Sequence, residues 1–218
     1  MRVALIAAFV TALVATTAGA MNQAVTLSLR QYVNANKVRV LVWFGQVSGP
    51  GRELVEVQAR DCGTKAFYTI AETAPAPGGG WEIQSQNPDP PYGSVRWSVG
   101  QTYRARWRDE LSNTITYRLP YTGHYATKIA GRRAWKVYVN PGDKDWTGKL
   151  VELQRRSGGK WMRYKVAKLV RKPSLKLGAY NHEAVFEVRA RGLTLRAFLP
   201  ARTVAPCHLP GASEPFRS

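Results

Sequence analysis

"LVEVQAR" runs from Leu54 to Arg60, and "LVELQRR" runs from Leu150 to Arg156, 96 residues later; five of the seven positions are identical. In the first copy Val55, Val57 and Ala59 alternate with Leu54, Glu56 and Gln58, and the second repeats the design with Val151 and Leu153. Alternation with a period of two is the mark of a β-strand, because successive side chains leave opposite faces of the pleat. The phrase reads as one strand written twice. The residues around it decide how far the repetition extends.

It extends well beyond seven residues. Each copy follows an apolar strand, "VRVLVWFG" at 38–45 and "WKVYV" at 135–139, and a glycine-containing turn. Each precedes a strand that opens T-x-R-A, "TYRARW" at 102–107 and "TLRAFL" at 194–199. A final strand ending in Leu-Pro is expected at "TITYRLP", 114–120, and at "VAPCHLP", 204–210. The offset is 96 at the heptapeptide and 92 at T-x-R-A, so the loops between differ by four residues. Two similar domains in tandem account for this order. Their boundary is expected near Pro120–His124, where "LPYTGHY" carries turn residues. "NTITYRL" at 113–119 and "VFEVRAR" at 185–191 also alternate, and turn signals such as "GPGR", "APAPGGG", "NPDPPYG" and "RSGGK" separate the runs. After the first 20 residues no stretch sustains a helical period of 3.6. Many short strands at this spacing predict an all-β chain of β-sandwiches.

The pattern strand, turn, "LVELQRRSGGKW" and then "TYRARW" resembles the tandem immunoglobulin-like or fibronectin type III-like domains of bacterial secreted and cell-surface proteins. The resemblance implies a first sandwich over residues 23–120, a second over 124–212, and a role in adhesion, binding or spacing. It also implies a tyrosine corner at Tyr103, in the penultimate strand of the first domain; the second copy has Leu195 there.

The chain begins with Arg2, an apolar run of 12 residues from Val3 to Val14, and Ala18-Gly19-Ala20. This is the layout of an export signal with a small-residue cleavage site, so residues 1–20 are expected to be removed. A retained anchor is the competing reading, but a spanning helix needs roughly 20 apolar residues. No later stretch is long and apolar enough to span, so the mature chain is expected outside the cytoplasm or in the cell envelope. The 32 Lys and Arg exceed the 14 Asp and Glu; without Arg2 the balance is 31 − 14, or +17. Such a charge attracts anionic surfaces and leaves the fold unspecified. For an exported protein the partners this favours are an anionic wall polymer, a polysaccharide or a membrane surface, with no specific nucleic acid. Cys62 and Cys207 are the two cysteines. In an oxidising compartment they are candidates for a bridge, with two unbridged thiols as the alternative.

The sequence offers little for catalysis. It has three histidines, His124, His182 and His208, and no H-E-x-x-H or C-x-x-C. Cys207 and His208 are adjacent, and in an extended strand neighbours point apart, which excludes the hydrogen bond that activates a thiol. Asp143 and Asp145 flank Lys144 with no third acid nearby, so they read as a solvated loop rather than a calcium site. No catalytic residue, cofactor or metal is expected.

The clearest functional sign is a run from Leu153 to His182 without Asp or Glu. It contains Arg155, Arg156, Lys160, Arg163, Lys165, Lys168, Arg171, Lys172 and Lys176, with Trp161 and Tyr164 interleaved. If 161–170 and 175–179 are neighbouring strands, several of these cations share a face that attracts phosphates or carboxylates. The competing reading is a solvated face that discourages edge-to-edge pairing. The run opens at Arg155, whose counterpart in the first copy is Ala59. The expectation is a non-enzymatic secreted or envelope-associated binding or structural protein whose basic second domain suits anionic surface polymers. The alternative is a carbohydrate-binding accessory module that stacks sugars on the loop aromatics Trp81 and Trp146.

Overall fold

The computed structural model describes residues 24–85, 97–142, 144–173 and 181–218. The expected signal segment, Asp143 and Lys176 lie outside the described residues. The fold is all-β, with a single four-residue helix among the described residues. The chain forms two compact units that divide between Tyr117 and Arg118.

The first unit contains β1 (Ser28–Val33), β2 (Arg39–Gln46), β3 (Val55–Arg60), β4 (Tyr68–Thr73), β5 (Gly80–Gln84), β6 (Thr102–Trp107), β7 (Glu110–Leu111) and β8 (Ile115–Thr116). One antiparallel sheet has the order β1-β2-β5 and the other β4-β3-β6-β7, with β8 also on β6. Leu41 and Trp43 face inward from the first sheet, and Val55, Val57, Ala59, Tyr103 and Trp107 from the second. Trp43 meets Tyr103 edge to face at 5.3 Å across this core. Burial of such side chains is the main stabilising term, at about 1.5–3 kcal/mol for each large one.

The second unit contains β9 (His124–Lys128), β10 (Ala134–Val139), β11 (Leu150–Ser157), β12 (Lys160–Lys168), β13 (Val170–Lys172), β14 (Asn181–Glu187), β15 (Thr194–Leu199), α1 (Ala201–Val204), β16 (Gly211–Ala212) and β17 (Phe216–Arg217). Its sheets have the orders β9-β10-β14-β13 and β12-β11-β15-β16, with β17 also on β15. Val137, Val139 and Phe186 from one sheet and Leu153, Leu195 and Leu199 from the other share one core. The turn predicted at "RSGGK" is a two-residue hairpin between Ser157 and Lys160. Gly158 and Gly159 have φ of 56° and 79°, so both take the left-handed conformation that such a loop requires and glycine adopts without penalty.

Strand for strand, the heptapeptides are β3 and β11, the T-x-R-A segments are β6 and β15, and the preceding apolar strands are β2 and β10. The two ends of the repeat differ from expectation. "TITYRLP" contributes only Ile115–Thr116 as strand, and "VAPCHLP" is no strand at all. Its start belongs to α1, and pairing with β15 comes later, from β16 at the limit expected at residue 212 and from β17 past it. Pro120 sits with the second unit: the backbones of Leu119 and Tyr121 exchange hydrogen bonds with Leu209. β14 ends at Glu187, short of Arg191, where Val188 turns to bond Arg133.

Candidate functional site

In an antiparallel pair, residues directly opposite project from the same face. In β3, Val55, Val57 and Ala59 are fully buried toward the core, so Glu56, Gln58 and Arg60 lie on the outer face. β11 repeats this with Glu152, Gln154 and Arg156 outside Val151 and Leu153. Both copies also carry a β-bulge at one equivalent place, between Val57 and Gln58 and between Leu153 and Gln154. The extra residue sits in the neighbouring strand, so alternation along β12 changes face there. Lys165 lies opposite Leu153, on the core side, while Arg163 lies opposite Gln154 and Trp161 opposite Arg156, outside.

The outer faces carry the same chain of polar contacts. In the first unit Gln58 Nε2 donates to Glu56 Oε2 at 3.0 Å, and Arg104 Nε donates to Gln58 Oε1 at 2.8 Å. The Arg104 guanidinium lies 4.0 Å from the centre of the Phe67 ring. In the second unit Gln154 Nε2 donates to Glu152 Oε2 at 3.4 Å, and Arg196 Nε donates to Gln154 Oε1 at 2.9 Å. The Arg196 guanidinium lies 4.3 Å from the Trp161 ring centre. Stacking on an aromatic face and a hydrogen bond from Nε together fix the plane of a guanidinium. Burial beneath these contacts lowers the pKa of Arg196 from its ordinary value. The Glu and Gln that recur in the heptapeptide, and the Arg that recurs in T-x-R-A, are therefore partners.

What surrounds the shared contacts differs. Around Glu56 the first unit places Glu72 on β4 and Arg106 on β6, and Thr69 Oγ1 donates to Glu56. At the equivalent positions the second unit has Val166, Phe198 and Arg163. Arg163 Nε lies 3.3 Å and Arg202 Nη2 3.4 Å from Glu152 Oε1, whose side chain is only 5% exposed. Arg156, Lys168 and Arg217 also project from this face, opposite Trp161, Leu150 and Thr194. Residues 118–218 hold 21 Lys and Arg against 6 Asp and Glu, a net of +15; residues 21–117 hold 10 against 8, a net of +2. The charge of the chain belongs almost wholly to the second unit.

Of the predicted cations, Arg156, Arg163 and Lys168 meet on the outer face. Arg155 and Lys165 are on the core side at the sheet margin, 5.7 and 5.8 Å from the Tyr164 ring centre, and Lys160 is beside the turn. Arg171 and Lys172 belong to the other sheet, where Lys172 pairs with Glu183 at 3.0 Å. Residues 175–179, the strand expected beside 161–170, lie outside the described residues; β12 pairs with β11, whereas β13, which follows it after one residue, pairs with β14 in the other sheet. The cause is Leu169, buried between the two strands and tied by its backbone to Gly148 and Lys149, where the chain changes sheet. Arg196, Arg202 and Arg217 were missed because they are remote in sequence from the acid-free run. The recurrence of Arg in T-x-R-A was the one signal available.

Trp81 and Trp146 do not present rings for sugar stacking, a second correction. Each is 4% exposed. Trp81 lies in β5 opposite Gly45, whose missing side chain leaves it room. Trp146 packs 5.0 Å from Tyr121 in the second core. The histidines are structural in their contacts. His124 is a buried residue of β9, not part of an exposed linker, with Nε2 3.4 Å from the Ala197 carbonyl. His182 is fully buried, its Nε2 near Trp146 N and Asp145 Oδ1 at 3.0 and 2.9 Å. Asp145 also accepts from the Thr147 backbone and hydroxyl. Cys62 and Cys207 are both disulfide-bonded. Cys207 precedes His208 in a turn rather than an extended strand, and the disulfide removes its thiol. The Tyr103 hydroxyl donates to the Gln101 side chain at Oε1, which also accepts from Ser98 N, rather than directly to the backbone as in a tyrosine corner. No helix among the described residues is long and apolar enough to cross a membrane. No protein-family model matches the chain, and no curated protein matches it.

Proposed function

We propose that the chain is an exported, non-enzymatic binding or structural protein of two tandem immunoglobulin-like or fibronectin type III-like sandwiches. Its second unit holds an anionic surface polymer on the outer face of β12-β11-β15. The strand orders support the domain type: β9-β10-β14-β13 against β11-β15-β16 follows the A-B-E-D and C-F-G sheets of such sandwiches, with β12 as an added edge strand. The first unit follows the same order without the strand equivalent to β13. The basic, apolar and small-residue start of the sequence, together with the disulfide, supports export.

The observation that carries the binding role is the composition of the outer face. Arg156, Arg163, Lys168, Arg196 and Arg217, with Arg202 reaching in, surround one carboxylate, Glu152. The equivalent face of the first unit sets Arg60, Arg104 and Arg106 against Glu56 and Glu72. Retention of the whole protein on an immobilised sulfated polysaccharide, eluted with a salt gradient, tests the role. Arg156→Glu, Lys168→Glu and Arg217→Glu together are expected to move elution to much lower salt, because each removes an exposed contact and adds a repulsive one. Elution at the original salt would refute the role. The carbohydrate alternative through Trp81 and Trp146 has lost its support with their burial.

A further inference from the structure

We infer that Arg196, held in plane by Gln154 and Trp161, is the oriented oxyanion contact of the basic face, and that its ligand is an acidic polysaccharide. The inference rests on the proposed binding role and goes beyond it, since a merely cationic face needs no oriented group. Arg196 spends its Nε–H on Gln154 and its π-face on Trp161. The four N–H groups on its two Nη atoms make no other hydrogen bond among the described residues. A guanidinium so arranged presents one edge with parallel donors, the geometry that grips a carboxylate or sulfate through two oxygens.

Arg163 lies in the same row, across Gln154 from Arg196. Two strand spacings put their backbones roughly 10 Å apart. Acidic groups recur at about this interval in polymers that alternate acidic and neutral sugars. Duplex nucleic acid carries a phosphate about every 1.7 Å along its axis, a density that this sparse row does not match. Half-buried Trp161 and the Phe198 ring, 5.8 Å from Arg196, add apolar surface suited to the carbon faces of sugar rings.

The first unit provides the internal control. Arg104 has the same Gln and aromatic partners, but its row ends in Thr69 where the second unit has Arg163. Isothermal titration of the whole protein with hyaluronate and with unsulfated chondroitin fragments, both of which alternate an acidic with a neutral sugar, would compare wild type, Arg196→Lys, Arg104→Lys and Gln154→Met. All keep the formal charge. Arg196→Lys and Gln154→Met are each expected to weaken binding about tenfold, the equivalent of one charge-assisted hydrogen bond, and Arg104→Lys to leave it unchanged. Equal effects of Arg196→Lys and Arg104→Lys, or no effect of Arg196→Lys, would overturn the inference while wild-type binding persists. Absence of wild-type binding would instead overturn the proposed role. A single-stranded DNA of matched charge that binds more tightly than both polysaccharides, with the same dependence on Arg196, would overturn the ligand class. Near-ultraviolet circular dichroism verifies folding, and because Arg196→Lys conserves charge and bulk it tests the inference even if Gln154→Met unfolds.

Discussion

A glutamine on the outside of a sheet ordinarily meets water. Gln58 and Gln154 are each 8% exposed, because a guanidinium bonds to each and lies against a neighbouring ring. Removing the amide strands an arginine Nε–H and a glutamate oxygen together, so Gln58→Leu and Gln154→Leu should each cost about 1–2 kcal/mol in urea unfolding. An unchanged midpoint would show that water replaces the amide. Trp146→Ala should cost about 3–5 kcal/mol, as expected for a core indole and not for a ring at the surface. His124 carries the acid sensitivity. Burial lowers its pKa from the ordinary 6.5, so the folded state binds its proton less readily than the unfolded state. Its contribution is complete above pH 6.5 and is lost as the pH falls below that value toward the depressed folded pKa. His208, lowered by burial and then by Lys144, acts in the same direction. The unfolding midpoint of the wild type should therefore fall between pH 7 and pH 5 more steeply than that of His124→Leu. Parallel pH profiles would remove His124 from the account.

At the scale of elements, the alternating pattern located the strands but not the bulges. "KWMRYKVAK" read with a strict period of two puts Trp161, Arg163 and Lys165 on one face. The bulge beside Leu153 and Gln154 separates Lys165 from the other two. One residue more or less in a strand exchanges its inner and outer side chains, and nothing in residue types marks where the extra residue falls. Deleting Tyr164 should accordingly force Trp161 and Arg163 inward, shifting tryptophan emission to the blue, or break the pairing of β12 with β11, shifting it to the red, and in either case lower the urea midpoint. Wild-type values for both would mean that the bulge is dispensable. The short strands β16 and β17 were equally hidden, because "GA" and "FR" are too brief to show a period. By contrast the heptapeptide and T-x-R-A were legible, since the first repeats two inward apolar residues and the second three. Their outward Glu, Gln and Arg appeared in the sequence as unexplained identities, because a hydrogen bond between strands 46 residues apart in the first unit, and 42 in the second, leaves no local pattern.

The two units share a strand order and a polar relay, and they differ in charge by 13. Part of this difference lies inside paired strands, where Val166, Phe198 and Arg163 stand in place of Glu72, Arg106 and Thr69, a net gain of one positive charge through the loss of one acid. A face that only needed solubility would be served by mixed charges, as in the first unit. The second unit instead carries a field of one sign, which brings anionic ligands to it and weakens with salt. Arginine labelling of the whole protein with phenylglyoxal, read peptide by peptide in the mass spectrometer with and without heparin, tests this division most directly. The account predicts protection of Arg156, Arg163 and Arg196 by the polymer, with Arg52, Arg60 and Arg106 labelled as before. Equal protection of both sets, or protection of neither, would contradict it.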